Sequence, residues 1–373
     1  MGRVLMIASV DRHLAAFHVP YIELLASMGH TVDVACRVTG AGLGIPGVSK
    51  WFDVPIERQP FKRNNIQAYY QIKDIVKHGD YDLLHCHTPV ASVLSRIAAS
   101  PMRKNGLQVM YTAHGFHFFR GAPWINWILY YPVERILAKK TDVLVTINHE
   151  DYTRALSFGA GRVLYIPGLG VNVSEYAEHN TDRALIRKGF GVPRDAILVL
   201  SVGELNENKN HQIVIRAIAG LSDKNVHYAI AGQGPLLGKL EKLAFTHKVQ
   251  GNVHFLGFRN DVKDLYQAAD IFCFPSRREG LGLAAIEAMS ASLPLVASSV
   301  HGINDYLFNG INGFSVKPND RDGFMRSLVQ LASDETLRRS MGVQGNTIAR
   351  KFDLSVVLGK MRQIYLELLT NST

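Results

Sequence analysis

Two doubly wound α/β domains are predicted, on three observations. Short apolar runs with strand character alternate with helical patterns from the first residues to about position 168, and the alternation begins again near position 197. A polar stretch at 172–194 separates the two series. At 373 residues the chain is too long for one compact core. Buried strands alternating with helices form parallel sheets covered on both faces. The expected division is an N-terminal domain over 1–170, a C-terminal domain over 171–354, and a last helix, about 355–373, that returns to the first domain.

In the first series the strand candidates are 4–9, 31–36, 83–87, 108–113, 143–148 and 163–167, with helical patterns such as 15–28 between them. Residues 124–138 are the most apolar helical stretch. Pro132 and the Glu134-Arg135 pair interrupt it well short of the ~20 apolar residues a membrane span needs. In the second series the strands are expected at 197–202, 226–231, 253–256, 271–274 and 295–298. Helical patterns run from 321 to the end, the last over 356–369.

Cys36, Cys86 and Cys273 each lie alone in an apolar run, which points to reduced core thiols rather than disulfides or a metal site. Asp11 interrupts the N-terminal apolar run before a signal-peptide core could form, so a cytoplasmic protein is expected. The formal net charge is +9, with 18 cationic against 12 acidic side chains in 1–170 and 23 against 20 beyond. Such a balance fits an anionic membrane surface or a diphosphate-bearing substrate. Nucleic acid is disfavoured, because the charges are dispersed and no nucleic-acid-binding motif accompanies them.

Chemistry concentrates in Phe274-Pro-Ser-Arg-Arg-Glu-Gly-Leu-Gly-Leu-Ala-Ala-Ile-Glu-Ala-Met289. A strand stops at Pro275, a polar loop passes through Gly280 and Gly282, and a helix begins at Leu283. A helix N-terminus offers backbone N–H groups and the positive end of the helix dipole to an anion, and glycines let a diphosphate approach the main chain. Glu279 and Glu287, eight positions apart, add carboxylates that accept hydrogen bonds from hydroxyls. Two solvated glutamates on an ordinary strand and helix are the bland alternative. GxGxxG after a first strand and GxxxxGK[ST] are both absent, which disfavours a nicotinamide dehydrogenase and a P-loop enzyme.

Histidines mark the first domain. His85 and His87 share one face of a strand, and His114 and His117 follow the end of another. A metal site among these four is not expected, since no acidic ligand stands nearby. His85 reads as a packed side chain and His87 as one that lines a cleft. Phe116, Phe118, Phe119, Trp124, Trp127, Tyr130 and Tyr131, with Arg120 among them, suit either a core or a membrane interface.

Taken in order, Ser201-Val-Gly-Glu-Leu-Asn-Glu-Asn-Lys-Asn210, Gly232-Gln-Gly-Pro235, Arg278 to Glu287, His85-Cys-His87 and Thr112-Ala-His-Gly115 make the chain resemble glycosyltransferase family 4. The Gly-Glu-Leu variant and Ala113-His-Gly-Phe-His-Phe-Phe119 resemble its exopolysaccharide and capsule subgroup. The resemblance implies the GT-B fold: two Rossmann-like domains facing a central cleft, a nucleotide-sugar donor bound mainly by the C-terminal domain, and retention of anomeric configuration.

It further implies that Glu287 holds the ribose, that Glu279 and the loop through Gly280, Leu281, Gly282 and Leu283 meet sugar and diphosphate, and that Lys209 neutralises the diphosphate. Gly232 joins the donor site, and His114 approaches the anomeric centre or the sugar hydroxyls. The family usually has Gly-Arg where this chain has Gly203-Glu204, and Arg277 or Arg278 is the candidate replacement, with Arg278 preferred. A glycine-rich turn is likewise replaced by Ser9-Val-Asp-Arg-His-Leu14, so Arg12 and His13, with His87, are assigned to the acceptor side.

The expected function is transfer of a hexose or N-acetylhexosamine from a UDP-sugar to a lipid-linked or growing saccharide at the inner face of the cell membrane. No cofactor or metal is expected, as no DxD motif stands at a strand end. A nucleotide-sugar 2-epimerase and a noncatalytic sugar-nucleotide-binding subunit are the alternatives.

Overall fold

The computed structural model describes residues 1–40, 42, 44–178, 181–223 and 225–370. The chain forms two compact units, Met1–Gly170 with Ser355–Thr373, and Val171–Leu354.

The first unit is built on seven parallel strands: β1 Arg3–Val10, β2 Thr31–Arg37, β3 Val48–Asp53, β4 Leu83–His87, β5 Gln108–Ala113, β6 Val143–Thr146 and β7 Arg162–Tyr165. Their order is β3-β2-β1-β4-β5-β6-β7. Strand order therefore reverses between β1 and β4, and ligands of such sheets bind outside the carboxyl ends at that switch point. The core draws on Leu5, Ile7, Leu84, Cys86, Val109 and Tyr111, buried on the central strands. The helix Leu354–Thr370 belongs to this unit and brings the Tyr365 hydroxyl to 3.0 Å from His85 Nδ1.

The second unit repeats the architecture with six strands: β8 Ile197–Val202, β9 Val226–Ala231, β10 Val253–Gly257, β11 Ile271–Phe274, β12 Leu295–Ser298 and β13 Gly313–Val316. They pair in parallel in the order β10-β9-β8-β11-β12-β13, with the switch between β8 and β11.

Local differences from the sequence pattern have physical causes. Two strands, β3 and β13, are absent from the predicted set. Both lie at sheet edges, and the six residues of β3 include no buried side chain, so no apolar run announces it. The helix expected over 15–28 is two helices, α1 Asp11–Phe17 and α2 Val19–Ser27, separated by His18. Pro20 has no N–H to donate into a helix continuing from α1 but is tolerated in a first turn, so one helix stops and the next restarts at Val19. Residues 147–148 leave the strand because Asn148 caps the helix His149–Ala155, its side chain accepting from Asp151 N at 2.8 Å.

The aromatic run divides. Phe116, Phe118 and Phe119 are core side chains, not interfacial ones, and the Phe116 and Phe118 rings stack at 4.9 Å. Exposed apolar groups come instead from the helices Trp124–Leu129 and Tyr131–Ala138 that follow, where Trp124, Ile125, Ile128, Leu129, Val133 and Ile136 face out. No helix among the described residues is long and apolar enough to cross a membrane.

Candidate active site

In the second unit the site is made where β8 and β11 end. Gly203 N donates to Ala231 O and Leu205 N to Gln233 O, each at 2.9 Å, so the loops after β8 and β9 lie against each other. A side chain at Gly232 would overlap the Gly203 carbonyl, so only glycine permits this approach. The loop 206–210 is then fastened to the loop after β11. Arg277 N donates to Asn208 O at 2.8 Å, Asn208 Nδ2 to Arg278 O at 3.0 Å and Asn210 Nδ2 to Pro275 O at 3.1 Å. Asn210, at φ 55°, holds the left-handed conformation that ends this loop and opens the helix His211–Ala219.

These ties bring Lys209 to Glu279 although 70 positions separate them. The Lys209 Nζ to Glu279 Oε1 distance is 2.6 Å, and Nζ also lies 4.8 Å from the centre of the Phe274 ring. Glu279 is followed by a loop held by Gly302 N donating to Glu279 O and the Tyr306 hydroxyl donating to Leu281 O. Gly282, at φ 90°, then starts the helix Leu283–Ser290. Added side-chain atoms at Gly282 would meet the Phe274 ring. No side chain caps this helix, so its first-turn N–H groups are oriented to meet an anion.

Glu287, in the second turn, accepts from the Tyr266 hydroxyl at 2.8 Å and also bonds Tyr176. Burial raises its pKa above the ordinary glutamate value, and the two phenols only partly offset this. Arg278 is partly buried beside Glu279, whereas Arg277 is exposed and Glu204 is exposed on the loop after β8. Lys209, Gly232, Arg278, Glu279, Gly280, Leu281, Gly282, Leu283 and Glu287 thus all lie on the loops and the helix at the carboxyl end of this sheet. The sequence reading missed Tyr266 and Tyr176, which occupy part of the Glu287 carboxylate; no motif marks either.

In the first unit the corresponding crevice holds histidines. His13 lies in α1 just after β1, His18 at the break before α2, His87 at the end of β4 and His114 after β5. His18 Nε2 is 3.3 Å from His13 Nε2, and His87 Nδ1 is 3.3 Å from His114 Nε2. The His18 and His87 rings lie 3.9 Å apart. Burial drives all four toward the neutral form: His13 is lowered to about 4 with a lesser contribution from Arg58, and His18, His87 and His114 lie well below the usual histidine value.

His87 is a correction. It is 1% exposed, because β4 is a central strand and the rings of His18, His85 and His114 pack around it, so its side chain is a packed one rather than an open lining. His85 is packed, bonded to Tyr365 and, at 2.8 Å, to Thr112 Oγ1. His117 turns away from the cluster and stacks on Tyr130 at 4.6 Å. Of the four histidines weighed together from the sequence, His85, His87 and His114 join the cluster, the His85 and His87 rings lying 4.1 Å apart, and His117 does not. His18 was missed, since nothing in its local sequence separates it from a helical surface residue.

The turn after β1 is fixed without a glycine-rich motif. Buried Asp11 accepts from Thr39 N at 2.8 Å, Thr39 Oγ1 at 2.6 Å and Gly42 N at 3.2 Å. Burial alone would raise its pKa, but these bonds outweigh it and lower the value to about 2. Arg12 is exposed and His13 partly so. Thr88, directly after His87, has φ 64°, an outlier for a β-branched residue, held by Ser9 N at 3.2 Å and Ser9 Oγ at 2.8 Å from its hydroxyl oxygen.

Known proteins resemble the chain over nearly its whole length. A family model described as glycosyl transferases group 1 matches residues 182–347, and one described as glycosyl transferase 4-like matches residues 3–148. The EpsD glycosyltransferase of Bacillus subtilis is 38% identical over 368 residues, 97% of this chain and 96% of that one. The chain belongs to glycosyltransferase family 4. This transferase is also 26% identical to the UDP-Gal:alpha-D-GlcNAc-diphosphoundecaprenol alpha-1,3-galactosyltransferase of Escherichia coli, over 94% of this chain and 92% of that one. Its fold is GT-B: HepE of Anabaena, solved with UDP and glucose, matches it with a TM-score of 0.80 at 21% identity over the whole of both chains.

Proposed function

We propose that this glycosyltransferase moves a hexose or N-acetylhexosamine from a UDP-sugar, with retention and without a metal, to a lipid-linked or growing saccharide in surface polysaccharide synthesis. The observation that carries the donor reading is the Lys209–Glu279 pair set before the uncapped helix at Leu283. A cation and a row of backbone N–H groups stabilise the negative charge that develops on a departing diphosphate. Glu279 both orients Lys209 and offers its second oxygen to a sugar hydroxyl, and Glu287 takes the ribose. Arg278 supplies the second cation that Glu204 does not. His114, held neutral by burial, serves the transferred sugar as a hydrogen-bond partner. The relatives support the substrate class: one is solved with UDP and glucose, and the name of another specifies a UDP-sugar and a diphosphoundecaprenol-linked acceptor.

The acceptor side suits a membrane surface. The apolar face from Trp124 to Ile136 borders a groove of about 230 Å³ lined by Phe61, Val90, Leu94, Leu129 and Val133. Lys62, Arg63, Arg120, Arg135 and Lys139 are exposed on the same segments. Aromatic and aliphatic side chains enter the headgroup region while each nearby cation contributes about 1 kcal/mol on an anionic leaflet. The first unit therefore docks on the cytoplasmic leaflet.

The test is incubation with radiolabelled UDP-sugars, with and without a lipid-diphosphate-linked saccharide. Label moving to the acceptor with UDP release is expected. A changed sugar without acceptor would identify an epimerase, and binding without turnover a noncatalytic subunit.

A further inference from the structure

We propose that His13, His18 and His114 form a site for one transition-metal ion of the Zn²⁺ class, and that filling it withdraws His114 from transfer. One ring nitrogen from each residue lies within 4.8 Å of the other two. The 3.3 Å between His13 Nε2 and His18 Nε2 is long for an N–H···N hydrogen bond. It matches the separation of about 3.3 Å between two nitrogens that each stand roughly 2.0–2.1 Å from a tetrahedral ion.

A second observation points to a ligand. His114 Nδ1 is buried and has no hydrogen-bond partner among the described residues, while His114 Nε2 lies 3.3 Å from His87 Nδ1, so Nδ1 is the nitrogen left for an ion. Buried polar atoms without partners are exceptions that call for an explanation, an ion among them. The carboxylate closest in sequence, Asp11, already accepts four hydrogen bonds, from Thr39 N, Thr39 Oγ1, Gly42 N and Arg12 N. The ligand set is thus three imidazoles with the fourth tetrahedral position left to water. Imidazoles select Zn²⁺, Co²⁺, Ni²⁺ and Cu²⁺ over Mg²⁺ and Ca²⁺, which want oxygen. His13 is only partly buried, so the ion has a way in.

The regulatory half rests on the reading of His114 given above. An ion on His114 occupies the lone pair that the sugar would meet, so the metal acts as an inhibitor of a metal-independent enzyme.

The experiment is titration of the purified, chelator-treated full chain with Co²⁺. One equivalent should produce the strong visible absorption of a tetrahedral ion, which Zn²⁺ abolishes and Mg²⁺ does not. His13→Gln and His114→Gln should lose it, while the exposed control His247→Gln keeps it. Weak octahedral absorption only, or a full signal in His13→Gln, overturns the site. Zn²⁺ should lower wild-type turnover roughly tenfold or more, the scale of a lost proton-handling or hydrogen-bonding group, with recovery in chelator. A tetrahedral Co²⁺ spectrum with turnover unchanged by Zn²⁺ overturns the inhibition. No transfer from any UDP-sugar, with a normal Co²⁺ spectrum, counts against the donor reading and leaves the site standing.

Discussion

The two sheets reverse strand order at equivalent places, after β1 and β4 in one unit and after β8 and β11 in the other, and the side chains gathered there differ in kind. In the second unit the crevice holds an ion pair, close-packed glycines and an uncapped helix. In the first it holds crowded imidazoles that burial keeps neutral. Topology thus fixes where ligands can bind, while the loops leaving the strand ends decide which charge waits for them. A diphosphate needs cations and N–H groups. A sugar hydroxyl or a soft metal is better met by neutral nitrogen.

The largest expected effect tests the charged crevice. Lys209→Ala should remove a charge-assisted contact made in the transition state and lower kcat by about 10²–10³-fold, or about 2.7–4 kcal/mol, measured as UDP release at saturating donor. Arg278→Ala should cost about as much if Arg278 replaces the cation missing at Glu204. A silent Arg278→Ala beside a crippled Arg277→Ala would move that role by one position.

A smaller effect concerns the exposed helices of the first unit. Ile128→Asp should weaken binding to anionic vesicles by about tenfold or more, since it brings a charge to the apolar face, and binding of the wild type should fall with salt as screening grows. Equal sedimentation with neutral and anionic vesicles would remove the membrane from the proposal.

The acid limb sharpens the comparison further. Glu287 binds a proton at higher pH than an ordinary glutamate, so donor affinity should fall as pH drops through its raised pKa, and Glu287→Gln should flatten that fall while weakening binding several-fold overall. The neutral cluster predicts the opposite on its side. Because burial lowers His13 to about 4 and holds His18, His87 and His114 well below the ordinary histidine value, no histidine limb should appear in kcat between about pH 6 and 8. Smallest of all is the effect of chelator: EDTA should leave the rate essentially unchanged, and a loss of activity restored by Mn²⁺ or Mg²⁺ would refute the metal-independent mechanism.

Much of the scaffold and of the donor crevice could be read from the sequence. Apolar runs of strand length announce β8, β9, β11 and β12, and β4 and β5, because central strands are buried on both faces and must be apolar throughout. The edge strands β3 and β13 escape that signal. The glycines and acids of 279–287 are contiguous, so their loop-and-helix geometry is a local property of the chain. Only the tertiary structure decided that Lys209 meets Glu279, that Tyr266 and Tyr176 reach Glu287, that His87 is buried, and that His13 and His18 join His114. Periodicity tells which residues are buried and on which element. It does not encode the order in which strands lie side by side, and convergence of side chains from separate loops within each unit depends on that order and, for His18, on the break between α1 and α2.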